Sequence, residues 1–566
     1  MRFIYSLCLL ICIKSTAQKN SYPRDYFRNP LNIPPSLSGN FGELRPNHYH
    51  MGLDFKTNRV ENLPVYAAAD GYVTRIKIEP YGYGRAIYIK HANGFTTLYA
   101  HLNSFYDGLE NYVTEAQYAR ESWAIDLSIP DSLFPVKKGD FIANSGNTGG
   151  SMGPHLHFEI RTTAEEINLN PMLFGFGIKD NVPPTIQRLA VYDRTKSVYE
   201  QSPRIVAVKK TPQGYVTTPA VITVSSPAVS FAVTSADTHS GSANQNGIYE
   251  GILKQGSKEV IRFVMDSIAY GFTRHMNAHI DYKLKAGGGP YVQHLSELPG
   301  FLGGIYKSAG NSKGVLDLQD EKLHDITIET RDAAGNTVSL KFKVQYKPGA
   351  AATANAPGQM FYPDMLNVGE GSEDGEFYIS EKGLYDSVRI LYSRRVSLLQ
   401  PVISAIHTIG NPAIPLQEGL TVRIKPVSGV SEHLYAKTVM QRFAGTKKEV
   451  VKPLWVQGWA SATFREFGSF QLVLDETPPE IIPVGFKDSA DLSTAKRMVI
   501  TVKDNLERVK NFRAELNGKW LRFTNDKAKN FIYIFDDRCP AGENELKVSV
   551  EDEAGNVTVK TFIFKR

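Results

Sequence analysis

The chain has 566 residues, which at about 100–200 residues per domain makes three to five domains. Hydrophobic residues make up 42% and charged residues 22%, with 29 Phe and 28 Tyr, so disorder along the whole length is excluded. A net charge of +6, from 64 basic and 58 acidic residues, excludes a strongly basic nucleic-acid binder; three cysteines exclude a disulfide scaffold and a CxxC…CxxC zinc site.

Met1–Ala17 begins with Arg2, runs through the mostly apolar Phe3–Ile13 and ends on Ser15-Thr16-Ala17, the small residues of a cleavage site. The apolar run is too short to cross a bilayer core of about 30 Å as a helix. The segment reads as a secretory signal peptide, which predicts export to the periplasm, cell envelope or extracellular space. A lipoprotein signal at Cys12 is the competing reading, but the large Ile11 stands where a small residue is expected. Without Arg2 and Lys14 the 64 basic residues become 62 against 58 acidic, so the net charge falls from +6 to +4. Cys539 is then the one cysteine left, and core burial rather than disulfides must hold the exported chain. No later apolar run is long enough for a membrane helix. Gln18–Pro35 is a short Pro-containing extension.

Apolar–polar alternation dominates the rest and predicts a mainly β protein. Six of the 13 histidines lie in the first 180 residues: His48, His50, His91, His101, His155 and His157. His50-Met51-Gly52-Leu53-Asp54 is an H-x-G-x-D. Two ligands of one tetrahedral zinc need donor atoms about 3–3.5 Å apart, whereas i and i+4 on a straight strand are roughly 13 Å apart. The backbone must bend, and Gly52 permits it. Ala86–Lys90 and the strand ending Tyr99-Ala100-His101-Leu102 are the arms of a hairpin turning at Asn93-Gly94. Asn103–Pro135 follows; it holds a helix near 109–123, with Tyr112, Ala116, Ala119 and Trp123 on one face. The loop Asn147-Thr148-Gly149-Gly150 and Gly153-Pro154 precedes His155-Leu156-His157-Phe158-Glu159-Ile160. In that strand Leu156, Phe158 and Ile160 face the core, and His155, His157 and Glu159 face the other way. One histidine can bind a metal while its neighbour reaches the water on it. No HExxH occurs.

These stretches resemble the lysostaphin/LytM-type zinc endopeptidases of bacterial cell walls, peptidase family M23. The resemblance rests on Leu37–Arg45, His50–Asp54, Val65–Val73, Gly94–Leu102, Val136–Asp140 and Ser145–Ile160, and covers about residues 36–178. It implies a compact antiparallel β-domain with an open groove. It also implies His50, Asp54 and His157 as zinc ligands, with His101 and His155 as non-ligand catalytic histidines. Two neutral imidazoles and one carboxylate leave zinc near +1 with a position open for water. One histidine then serves as base, for which His155 is favoured, and the other stabilises the oxyanion. The family usually has a short connection where Asn103–Pro135 stands, so this 33-residue insertion is expected to be a lid or groove wall, or else a cover for a sheet edge.

Downstream, Asp180-Asn181-Val182-Pro183-Pro184 opens a region 180–346 that nears its end at Asp332-Ala333-Ala334-Gly335-Asn336. Lys347–Gly358 is a low-complexity linker. A strand-rich region spans 359–474, and Asp475-Glu476-Thr477-Pro478-Pro479 opens the last, 475–566, which holds Asp552-Glu553-Ala554-Gly555-Asn556. The shared Pro-Pro opening and closing hairpin predict two similar β-sandwiches, resembling bacterial immunoglobulin-like modules. Their expected role is spacing or docking, toward a glycan or an envelope protein. His275 and His279 share i, i+4 spacing without further ligands; Tyr49 and Cys539 are expected in the core. The leading reading is an exported zinc metalloendopeptidase cutting peptidoglycan stem-peptide cross-links, with no nucleic-acid partner. The alternatives are a non-enzymatic envelope scaffold or activator, and a peptidase of extracellular proteins.

Overall fold

The computed structural model describes residues 22–349, 357–396, 401–427, 430–506, 509–528 and 530–566. The expected signal peptide, with Cys8 and Cys12, and residues 350–356 of the linker lie outside the described residues. The protein is mainly β, and among the described residues no helix is long and apolar enough to cross a membrane.

The first region builds β1 (Leu37–Gly39), β2 (Leu53–Lys56), β3 (Pro64–Tyr66), β4 (Gly71–Ile78), β5 (Arg85–Lys90), β6 (Phe95–Ala100), β7 (Leu102–Phe105), α1 (Asp107–Ala119), β8 (Ile125–Ser128), β9 (Phe141–Ser145), β10 (His155–Thr162) and β11 (Ile167–Leu169). The main antiparallel sheet runs β1-β2-β10-β6-β5-β4-β8, and β3-β9-β7 form a second. Period-two alternation sends Leu156, Phe158 and Ile160 into a core shared with Leu53, Phe55, Ile76 and Tyr99. The opposite face of β10 is left to polar side chains. The segment before β1 closes one edge of this core: Phe27 and Leu31 are buried, and Leu31 pairs with Val65.

The segment 103–135 contributes most of β7, α1 and β8, which extends the main sheet beside β4. Asp107 and Glu110 in its first turn suit the positive end of the helix. The helix ends at Ala119, before Trp123. Its buried row is Leu109, Val113 and Gln117, one position off the expected row. The reason is polar: the Gln117 amide donates to the Trp123 carbonyl and accepts from Arg522, so a non-apolar residue occupies the inward row.

The second region is not a separate body. Ser267–Ala269 pairs with β11 and so continues the first region's sheet, while Phe41, Tyr49 and Met51 sit in the second region's core. Its own strands form one sheet, in which Gly214–Val224 runs parallel to Thr337–Tyr346. Residues 357–474 carry two five-stranded sheets, and residues 475–566 a three- and a five-stranded sheet. The second and last regions thus differ in sheet layout, yet their repeated motifs do the same work. Asn336 Nδ2 donates to Asp332 Oδ2 and to the Asp180 carbonyl; Asn556 Nδ2 donates to Asp552 Oδ2 and to the Asp475 carbonyl. Each Asp-x-x-Gly-Asn turn therefore pins the Pro-Pro segment that opens its own region. Cys539 lies in the last region's core.

The first of these clamps gathers carboxylates. Asp237 is buried and its Oδ1 has no hydrogen-bond partner. Burial, with Asp332 and Asp180 adding to it, pushes its carboxyl up to about 7. A folded-state value above the unfolded value of about 4 favours folding at low pH, and that contribution is lost as pH rises through about 7. Asp237→Asn should therefore melt at a higher temperature than wild type at pH 8 and match it near pH 4. Thermal unfolding across that range measures it, and parallel curves for the two proteins would remove Asp237 as the cause.

Candidate metal centre

The antiparallel register of β2 and β10 sets Asp54 opposite His157. His50 lies just before β2, across a bend at Met51–Gly52. Gly52 is required here by close approach: a Cβ would stand 2.3 Å from the Phe158 carbonyl of β10. The bend brings three donor atoms together. His50 Nε2 is 3.0 Å from Asp54 Oδ1 and 3.0 Å from His157 Nδ1, and His157 Nδ1 is 2.9 Å from Asp54 Oδ1. All three side chains are buried.

A partner on the far side of each ligand fixes which atom points inward. His50 Nδ1–H donates to the Asn40 carbonyl at 2.7 Å, which leaves the Nε2 lone pair free. His157 Nε2–H donates to Glu159 Oε1 at 2.9 Å, which frees Nδ1. Asp54 Oδ2 accepts from Arg45 at 2.5 Å, which frees Oδ1. Glu159 is wholly buried and takes further hydrogen bonds from Tyr83, Arg161 and Asn168.

Two imidazole lone pairs and one carboxylate oxygen converging within 3.0 Å demand a positive charge among them. Burial opposes charge on His157, but the Asp54 and Glu159 carboxylates outweigh it and push this imidazole up to about 9. Burial alone would raise Asp54, yet its histidine neighbours, His50 first, hold it well below the usual carboxylate range. Burial pulls His50 down to about 4, so it stays a neutral donor. A two-histidine, one-carboxylate set with this spacing fits a zinc ion, which binds such atoms at about 2.0–2.2 Å in a tetrahedron and keeps a fourth position open.

Two more histidines face the same space. His155 Nδ1–H donates to the Gly153 carbonyl at 2.8 Å; its Nε2 is buried, has no hydrogen-bond partner and lies 3.4 Å from Asp54 Oδ1. His101 occupies the corner between β6 and β7 with φ +61°, a left-handed conformation uncommon for histidine and one that aims its ring. His101 Nδ1–H donates to the Thr148 carbonyl at 2.8 Å, and its ring centroid is 4.7 Å from that of His155. Burial, with His155 and His157 adding, pulls His101 down to about 3. Both histidines thus present Nε2 lone pairs.

The structure brings together all five residues singled out from the sequence. It assigns the other histidines elsewhere: His91 binds the Asp70 carbonyl and Thr97, and His48 faces the Pro46 carbonyl. His275 and His279 are buried among aromatic rings where the second region meets its neighbours. Tyr49 is wholly buried in that same core. Sequence reasoning missed the outer partners Asn40, Arg45, Tyr83, Arg161 and Asn168. Only Glu159 carried a signal, two residues beyond His157 on the same strand face.

A buried His–Asp–His group flanked by two histidines on an antiparallel sheet could hold a metal ion. Residues 48–118 and 134–169 match the family model of peptidase family M23, so the chain carries a domain of that family; the unmatched 119–133 falls inside the expected insertion. Residues 361–475 match a Zu5-like domain, which supplies a family for the strand-rich third region. Over 119 residues the chain is 36% identical to the DD-carboxypeptidase/endopeptidase Mpg of Neisseria meningitidis serogroup B, covering 21% of each chain. Over 170 residues it is 28% identical to the peptidoglycan DD-endopeptidase ShyA of Vibrio cholerae serotype O1, covering 29% of this chain and 32% of that protein. The match thus spans a fifth to a third of the length of these relatives. A solved zinc-containing peptidase from Vibrio cholerae is 28% identical over 25% of this chain and 38% of its own, with a TM-score of 0.19.

Glu159→Gln removes the charge that orients His157 and leaves buried Arg161 without its carboxylate. Zinc affinity should fall about 10- to 100-fold, with a lower melting temperature. Competition titration against a chelator dye reads the first and calorimetry the second. Wild-type zinc affinity in the variant would refute a role for Glu159 at the centre.

Proposed function

We propose that the chain is an exported zinc metalloendopeptidase that hydrolyses peptide cross-links of bacterial peptidoglycan. The observation that carries this reading is the convergence of His50 Nε2, Asp54 Oδ1 and His157 Nδ1 within 3.0 Å, beside two further imidazoles whose Nδ1 atoms are tied to backbone carbonyls. The substrate class comes from the relatives, two of which are named for peptidoglycan or for DD-peptide cleavage. Export rests on the Met1–Ala17 pattern, and the envelope or periplasm is where such a substrate lies.

His50, Asp54 and His157 would hold the ion. Zinc, when bound, supplies Lewis acidity to the scissile carbonyl and lowers the pKa of water toward about 7. The chain's own residues then handle the protons. His155 Nε2, a buried acceptor 3.4 Å from Asp54 Oδ1, takes the proton of the attacking water and later delivers it to the leaving amine. His101, whose Nδ1–H is committed to the Thr148 carbonyl, presents only an acceptor at Nε2, and so orients the attacking water rather than donating to the oxyanion. The Thr148 and Gly153 carbonyls keep both rings in the one tautomer that can accept at Nε2. The scaffold alternative loses weight because a scaffold has no use for five such side chains.

Purified sacculi digested by wild type, His157→Ala and His155→Ala, with zinc quantified in each, test the reading. His157→Ala should lose both zinc and turnover. His155→Ala should keep zinc and lose about 10²–10⁴-fold in rate. Equal turnover by all three would sink the assignment, and cleavage of an unrelated protein without cleavage of muropeptides would move the substrate away from the cell wall.

A further inference from the structure

The last region touches the first at the loop that holds both non-ligand histidines. Asp526 Oδ1 accepts from the Gly149 N–H at 2.7 Å. Lys527 Nζ donates to the Ser151 carbonyl at 2.8 Å and to Asn147 Oδ1 at 3.3 Å, while the Lys527 N–H donates to the Pro80 carbonyl at 2.8 Å. Two consecutive residues from one end of the chain thus grip alternate residues of Asn147–Ser151, and through Pro80 the neighbouring loop as well. The same loop anchors the two imidazoles. Thr148 accepts the His101 Nδ1–H, and the Ser151 hydroxyl lies 3.2 Å from His155 Nδ1 and donates to the Gly153 carbonyl that this nitrogen binds.

The grip is built rather than incidental. Lys527 and Ala528 adopt φ +57° and +46°, left-handed values that non-glycine residues keep only where surroundings enforce them. Behind the grip, three arginines of the last region seat on α1 and the residues following it. Arg522 donates to Thr114 and Gln117, Arg513 pairs with Glu121 at 2.6 Å, and Arg538 pairs with Glu115 while stacking 3.6 Å above the Tyr118 ring. Trp520 meets the same tyrosine edge-on at 5.1 Å. The helix of the insertion is therefore a docking post for the last region. The joint is incompletely filled: a cleft of about 840 Å³ remains between Tyr81 and Trp123 on one side and Phe512 and Phe531 on the other.

The contact is made to the loop rather than to the five site residues. Met152, at the crest of the gripped loop, is fully exposed. Among the described residues, no hydrogen bond joins 509–566 to His50, Asp54, His101, His155 or His157.

We infer that Asp526 and Lys527 are positioning residues for the peptidase: the docked last region holds the Asn147–Ser151 loop so that His101 and His155 keep their Nε2 atoms on the metal centre. The inference rests on the proposed peptidase reading. Undocking frees the loop, and both rings lose their anchor together. Lys527 acts through the Ser151 carbonyl and Asn147 Oδ1 and not on substrate, so its loss lowers kcat and leaves KM and zinc content unchanged.

The test uses the full chain loaded with zinc, as wild type, Asp526→Ala/Lys527→Ala and Asp526→Asn. The double variant should lose about ten- to a hundredfold in kcat on cross-linked muropeptides, as expected for acid–base groups displaced by about an ångström. Asp526→Asn keeps an Oδ1 acceptor for Gly149 and should stay near wild type. Amide exchange at 147–151 and the ring ¹H–¹⁵N signals of His101 and His155 should change in the double variant alone. Unchanged or increased kcat, or a rise in KM with kcat intact, would overturn the inference while leaving the peptidase reading in place. Absence of turnover in wild type would instead strike the peptidase reading. The exchange and ring signals would still decide the clamp, and their invariance would overturn it.

Discussion

Two imidazole nitrogens and a carboxylate oxygen are held 2.9–3.0 Å apart inside the protein, and much of the first region serves to fix that spacing. No ligand strand could do this alone. β2 and β10 set the Asp54–His157 register, the glycine at 52 lets the strands approach, and His50 arrives from a bend rather than from the sheet. The outward side of each ligand is then saturated by Asn40, Arg45 or Glu159. The buried Glu159–Arg161 pair is the costliest of these supports, since a charge pair out of water stands only if further hydrogen bonds satisfy it. Tyr83 and Asn168 do so.

The same constraint explains why the neighbouring regions are not loosely strung. Tyr49 and Met51 flank His50 and are buried in the second region's core, and Ser267–Ala269 extends the first region's sheet. The Asn40 amide exchanges hydrogen bonds with Gly247 while its carbonyl receives His50. A ligand's orientation is therefore tied to an element some two hundred residues away. Accessory mass of this kind stiffens one side of the metal centre, whereas the last region reaches the opposite, loop-built side.

What could be read from residues alone followed from range. The alternation in His155–Ile160 is local, and period two is enough to sort core from site. The histidine–aspartate pattern at 50–54 demanded a bend, and a bend is present, though Gly52 answers a close approach as well. The helix in the insertion was legible as a helix but not in phase, because Gln117 satisfies its amide through partners that no local pattern shows. Arg45, Tyr83 and Asn168 were invisible for the same reason: each is an ordinary polar residue until the fold places it beside a buried carboxylate. The paired Pro-Pro and Gly-Asn motifs announced two related regions. They encode the clamp between opening segment and hairpin rather than the sheet layout, so the layouts diverged while the motif did not.

The two structural surprises, a docking helix in the insertion and a grip on the Asn147–Ser151 loop, have one cause. The helix and the turn after it offer Glu115, Tyr118 and Glu121 outward, a combination that on a free surface contributes little to stability. Seated against Arg513, Arg538 and Trp520, these side chains gain partners, of which Arg513 and Trp520 are themselves fixed in strands. An insertion beside a catalytic strand gives the last region a fixed address near the loop it must reach, four hundred residues along the chain. Local sequence cannot reveal such an address, because both halves look like solvated surface. The fold makes it intelligible: the loop that carries the histidines' carbonyl partners is the part of the centre least supported by strands, and it is there that a distant region lends its own rigidity.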